Sequence, residues 1–130
     1  GMLCIELFVT KDQHVLVNEL APRPHNSGHY TIEGCVTSQY ENHIRAILGL
    51  PLGSTELICP TVMKNIIGNV NKKAEVHGLE EAYKYPEVKI HIYGKEECRV
   101  GRKMGHITVT DKTIEDALFK ARYAHSKIKF

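Results

Sequence analysis

The chain has 130 residues, 42% of them hydrophobic and 25% charged, with a formal net charge of +2. That is enough apolar material for one ordinary domain or two small ones. The near-neutral balance argues against a general nucleic-acid binder, which would carry a clustered basic face, and no apolar run reaches bilayer length or follows a signal-peptide pattern. Cys4, Cys35, Cys59 and Cys98 lack paired metal spacing, and each lies in or beside an apolar stretch. They read as buried reduced thiols, and the expectation is a cytoplasmic protein with neither a nucleic-acid nor a membrane partner.

In chain order, residues 3–10 and 15–20 are β-rich runs separated by Lys11-Asp12-Gln13-His14, which predicts a hairpin. If those four residues form the loop, Thr10 pairs with Val15, and counting back sets Glu6 opposite Glu19 on one face. Like charges so placed destabilise a sheet. A divalent cation between them would reverse the sign, and hard carboxylate oxygens with the nearby Asn26 amide suit magnesium. The alternative is that one glutamate points to solvent, since a one-residue slip sends a side chain to the other face.

Residues 18–30, Asn-Glu-Leu-Ala-Pro-Arg-Pro-His-Asn-Ser-Gly-His-Tyr, crowd a carboxylate, two imidazoles and a guanidinium onto a backbone stiffened by two prolines. Arg23 lies between those prolines, so its fork sits on a short rigid loop suited to an anion. Asn26-Ser27-Gly28 offers successive backbone N–H groups, which predicts an anion-binding nest. A plain surface turn would use the same turn-forming residues but has no need of Arg23, His25 and His29.

Ser38-Gln39-Tyr40-Glu41 is a capping box, and Tyr40, Ile44, Ile47 and Leu48 recur at helical spacing before Gly49 and Pro51, predicting a scaffold helix over 39–48. Pro51-Leu52-Gly53-Ser54 marks a change of unit, giving expected domains 1–54 and 55–130. Beyond it, 56–67 reads as an edge or bent strand because Pro60 cannot donate to a central ladder. A polar turn over 69–73, a short helix over 79–83 and strands over 88–93 and 105–110 follow. Thr113 opens a final helix whose Ile114, Ala117, Leu118, Ala121 and Ala124 are expected to line one side. The fold class expected is α+β, an antiparallel hairpin plus helix followed by a small, mainly antiparallel β subdomain with a C-terminal helix.

Lys95 and Arg102 lie in glycine-bracketed segments joining two strands, where a phosphate would be the natural ligand; by composition alone such residues are solvated surface, the reading kept for Arg99 and Lys103.

The runs from Asn18 to Glu33, Thr37-Ser38-Gln39-Tyr40-Glu41, and Gly49-Leu50-Pro51-Leu52-Gly53, followed by His91-Ile92-Tyr93-Gly94-Lys95 and residues 101–109, resemble the 5-(carboxyamino)imidazole ribonucleotide synthases. These are the ATP-grasp ligases of purine biosynthesis, also called the ATPase subunit of phosphoribosylaminoimidazole carboxylase. The resemblance covers nearly the whole chain but only the C-terminal part of such an enzyme. It implies that bicarbonate attacks the γ-phosphate of ATP to give carboxyphosphate, and that the amine of 5-aminoimidazole ribonucleotide takes the carboxyl group. It implies Glu6 and Glu19 as magnesium ligands, with Asn18 and Glu19 also touching the nucleotide phosphates. Arg23, His25, Asn26 and Ser27 would line the substrate and bicarbonate site, with Arg23 steadying the reacting anion. Lys95 and Arg102 would hold the ribose phosphate. The partners implied are a missing N-terminal part or partner chain and a homodimer. The sequence shows no glycine-rich phosphate loop, lid lysines or adenine pocket, so the chain alone is expected not to turn over. A non-catalytic remnant keeping the fold and a phosphate-binding surface is the other reading.

Overall fold

β-rich, largely apolar runs on either side of a turn-forming stretch make the hairpin: β1 (Cys4–Val9) pairs antiparallel with β2 (Val15–Ala21). The computed structural model describes residues 1–130, which form two units, Gly1–Ile58 and Cys59–Phe130. The ladder closes at Val9–Val15, so the loop is Thr10–His14, one residue longer than the spacing predicts. Thr10 explains this: its N–H donates to His14 O at 2.9 Å and its Oγ1 accepts the His14 N–H at 2.9 Å, with Gln13 at φ +65°. The register then shifts by one between Glu6 and Leu7, where Leu7 faces Val17 and Glu6 faces Glu19. Asn18 is therefore the extra residue of a β-bulge. The two offsets cancel, and the predicted Glu6–Glu19 pairing is present through a register different from the one counted.

A 3-10 turn over Asn26–Gly28 and a one-turn helix α1 (Thr31–Gly34) lead to α2 (Gln39–Ile47). Ser38 caps α2, its Oγ accepting the Glu41 N–H at 3.1 Å, while the Glu41 carboxylate turns to Arg45 one helical turn on, at 2.5 Å, instead of closing the box. The segment after α2 stays with the first unit. Asn42 brackets Gly53, accepting its N–H at 2.8 Å, and Val36 and Ile58 donate to Glu56 O and Gly34 O. The division thus falls after Ile58, four residues beyond the expected 54: the proline–glycine stretch is irregular backbone held to the first unit, and backbone pairing carries the chain on past it. Hairpin and helix residues such as Phe8, Val17, Ile44 and Ile47 are each more than half exposed, a wide apolar surface.

The second unit is built on a three-stranded antiparallel sheet in the order β3 (Thr61–Ile67), β7 (Lys103–Thr110), β5 (Val88–Ile92). β3, following Pro60, is an edge as predicted. A short helix α3 (Leu79–Ala82) precedes β5, and α4 (Ile114–Lys127), capped by Thr113, packs on the sheet. Ile66, Val88, Ile107 and Val109 meet Ala117, Ala121 and Ala124 in the core. Three alanines at this contact let the helix lie close to the strands. Ile114, expected in that stripe, is 47% exposed: it belongs to the first turn, ahead of where the helix meets the sheet. Where only a polar turn was expected, β4 (Lys72–Lys73) pairs with β6 (Glu97–Cys98) in a two-residue ladder too short to show periodicity. Lys120 reaches Asp111 at 2.7 Å and Glu87 at 2.8 Å, tying α4 to the segments after β7 and before β5.

Candidate functional site

In the first unit the bulge decides the chemistry. An ordinary strand sends neighbours to opposite faces, but the extra residue lets Asn18 and Glu19 serve the same side. Asn18 Nδ2 donates to Glu6 Oε2 at 2.7 Å, and Glu19 stands across the ladder from Glu6. His25 adds a third group. Its ring is buried, its Nε2 lies 2.7 Å from Glu19 Oε1, and ligand-type atoms of Glu6, Glu19 and His25 all lie within 4.8 Å of one another.

The hydrogen-bond pattern assigns the proton on that ring. Nδ1 accepts the Ser27 N–H at 3.3 Å and sits 2.8 Å from Ser27 Oγ, so Nδ1 is the acceptor and Nε2 carries the hydrogen donated to Glu19. His25 therefore orients a carboxylate and does not offer a lone pair to a cation. What remains for a metal is two carboxylates and an amide, all hard oxygen donors, a set that suits magnesium with substrate phosphates completing its shell.

The same network corrects the nest. Ser27 N–H goes to His25 Nδ1, Gly28 N–H to His25 O at 3.0 Å and His29 N–H to Asn26 O at 3.1 Å. The 3-10 turn consumes the amides of Ser27 and Gly28, two of the three that such a nest would offer an anion. Asn26 opens this turn, partly buried, and Ser27 is exposed. Arg23 stands out on the loop, its Nη1 donating to Pro24 O at 3.1 Å, and its exposed guanidinium can meet an anion.

Gln39 is the residue that sequence reasoning placed only in a scaffold helix. It is buried at the first position of α2 and hydrogen-bonds both backbone groups of His25. Fourteen residues separate the two, so no local spacing could announce the contact.

In the second unit, Lys95 and Arg102 line one concavity of about 400 Å³ together with Gly94, Glu96, Glu97 and Arg99. Gly94 at φ +64° and Gly101 at φ +81° make the turns that bring the two cations there. Lys95 Nζ lies 5.9 Å from the Tyr93 ring, and Arg102 donates one N–H to Glu97 O at 3.2 Å. The hydrogen bond from Arg99 holds the Glu97 carboxyl below its ordinary range, with Arg102 adding to the effect. Glu97 is thus an anion spent on Arg99, which leaves Lys95 and Arg102 as the cations facing the concavity.

Residues 1–40 match the ATP-grasp domain, which sets the class: a segment of an ATP-grasp protein. Residues 61–120 match the phosphoribosylaminoimidazole carboxylase C-terminal domain. The chain is 56% identical over 108 residues to the N5-carboxyaminoimidazole ribonucleotide synthase of Bacillus subtilis, covering 83% of this chain and 27% of that protein. Among solved structures, the Thermotoga maritima synthetase superposes with a TM-score of 0.87 at 56% identity, over 98% of this chain and 36% of that one. The Aspergillus clavatus synthase, solved with ADP and 5-aminoimidazole ribonucleotide, gives a TM-score of 0.80 at 40% identity, over 95% and 34%. The chain belongs to the N5-carboxyaminoimidazole ribonucleotide synthase family, and it spans about a third of the length of these relatives.

Proposed function

We propose that this chain supplies the C-terminal portion of a ligase that carboxylates 5-aminoimidazole ribonucleotide with bicarbonate and ATP in purine biosynthesis. The observation that carries the reading is the Glu6–Glu19 pair, assembled by a bulge and braced by Asn18 and His25. Two facing carboxylates are costly in a sheet unless a cation completes them. Glu6 and Glu19 would hold magnesium, which supplies charge neutralisation for the phosphates of ATP.

The protein's own part is orientation. Asn18 fixes one oxygen of Glu6, and His25 fixes one oxygen of Glu19. Asn18 and Glu19 are the residues assigned to the nucleotide phosphates, and Arg23, His25, Asn26 and Ser27 to the aminoimidazole and bicarbonate end. The fork of Arg23 gives bidentate hydrogen bonds to bicarbonate or the carboxyphosphate formed from it. Lys95 and Arg102 anchor the ribose phosphate from the concavity they share. The remaining part of the ATP-grasp domain, on the same chain or a partner, grips the nucleotide, and assembly as a homodimer fits the same reading. No helix is long and apolar enough to cross a membrane, and the free thiols suit the cytoplasm.

A chimera tests this. The 130 residues replace the matching part of the Thermotoga maritima enzyme, and ADP release is followed with and without bicarbonate and 5-aminoimidazole ribonucleotide. Release requiring both substrates, lost in Glu19→Gln, supports the assignment. A folded chimera that binds ADP without turnover overturns it.

A further inference from the structure

Gln39 grips the loop that carries His25. Its Oε1 accepts the His25 backbone N–H at 2.9 Å, and its Nε2 donates to His25 O at 2.8 Å and to His29 Nδ1 at 2.9 Å. Paired bonds from one side-chain amide to both backbone groups of one residue mimic the exchange between two strands. They hold His25 extended, at φ −116° and ψ 152°, the conformation in which its side chain caps the 3-10 turn. In that pose Nδ1 receives Ser27 and Nε2–H meets Glu19. Gly28 closes the other side: a Cβ built there would lie 2.4 Å from Gln39 Oε1, so the amide occupies the space a larger residue would need.

We propose that Gln39 is a positioning residue that holds His25 in the one orientation and tautomer whose Nε2–H is donated to Glu19, and so sets which oxygens of the Glu6/Glu19 pair stay available to a ligand. The relay itself stands on this geometry; its consequence for a bound cation rests on the reading under Proposed function.

The test is the imidazole ¹⁵N spectrum of the metal-free chain, recorded above the ordinary imidazole range. The native chain is expected to show His25 as a single Nε2–H tautomer. Gln39→Met keeps the side-chain length but removes its polar atoms, and is expected to move the His25 signals to the average of two tautomers while hairpin amide signals hold. Gly28→Ala presses on the Gln39 amide from the opposite side and is expected to cause the same displacement, so it decides the matter alone if Gln39→Met does not fold. A His25 signature unchanged in the folded variants overturns the proposal. Unfolding by both variants also overturns it, because a positioning contact acts within a unit that folds without it. Failure of the chimera to turn over, with the tautomer change intact, would remove the ligase reading and leave this relay standing.

Discussion

Glu6 and Glu19 face each other across β1 and β2 because Asn18 is one residue too many for the ladder. Without that bulge, the five-residue loop would set Val17 to one side and turn Glu19 to the opposite face. The strain of two facing carboxylates is thus a consequence of a specific insertion, and it should be measurable.

Glu6→Gln is expected to raise the stability of the metal-free chain by about 0.2–1 kcal/mol, the size of a directly opposed cross-strand pair. The amide keeps an oxygen for Asn18 Nδ2, which now bonds Glu6 at 2.7 Å, so only the charge is lost. Urea melts of the two proteins read the difference. A less stable Glu6→Gln would mean that repulsion between the carboxylates is not the dominant effect.

The Lys120 clamp should give a pH dependence. Hydrogen bonds from Lys120 hold the Glu87 and Asp111 carboxyls below their ordinary range, and the same two carboxylates push Lys120 up. A depressed carboxyl contributes stability above its unfolded value and loses it as pH falls through the folded one. The raised lysine contributes below its own unfolded value and loses it only in strong alkali. Lys120→Met should therefore melt lower than the native chain at neutral pH, with the gap closing as pH falls through and below the carboxylate range. Thermal melts across that range check it; a gap constant with pH would assign the effect to packing of the lysine stem.

Much of this architecture is legible in the sequence where a period or a cap announces it. Ser38 and Thr113 mark both main helices, Pro60 marks the edge strand, and residues 88–92 alternate as a strand. The Glu6–Glu19 pair is reached from spacing, though by a count in which a longer loop and a bulge compensate. The rest is hidden for a physical reason. His25 finds Glu19 and Gln39 through a 3-10 turn and through contacts across 6 and 14 residues, and neither produces a periodic signal. Pattern alone also cannot tell that the amides of Ser27 and Gly28 are used internally, because a nest and a capped turn employ the same residue types.

The alanine stripe of α4 is a test of packing. Ala121 is fully buried between helix and sheet, so Ala121→Leu should destabilise the second unit by about 1–3 kcal/mol through overpacking. Ile114, half-exposed at the first turn, should accept leucine within about 0.5 kcal/mol. Denaturant midpoints of the two variants separate the positions. Equal losses would place Ile114 in the same contact as Ala121.

Lys95 and Arg102 give the last prediction, because their concavity lies within one unit. Phosphate is expected to raise the melting temperature in a concentration-dependent way, since an anion bound only by the native state stabilises by mass action. Comparison with chloride at matched ionic strength removes general screening. Arg102 spends one N–H on Glu97 O, and its planar fork retains donors for paired bonds to phosphate oxygens that an ammonium cannot reproduce. Arg102→Lys should therefore shrink the phosphate-specific shift and Arg102→Ala should abolish it. Arg99→Lys should leave it, because the Arg99 guanidinium is committed to Glu97 at 2.6 and 3.0 Å. Equal shifts for the native chain and Arg102→Ala would show that phosphate binds elsewhere, and Arg102 would lose its place as the anchor of the substrate's phosphate.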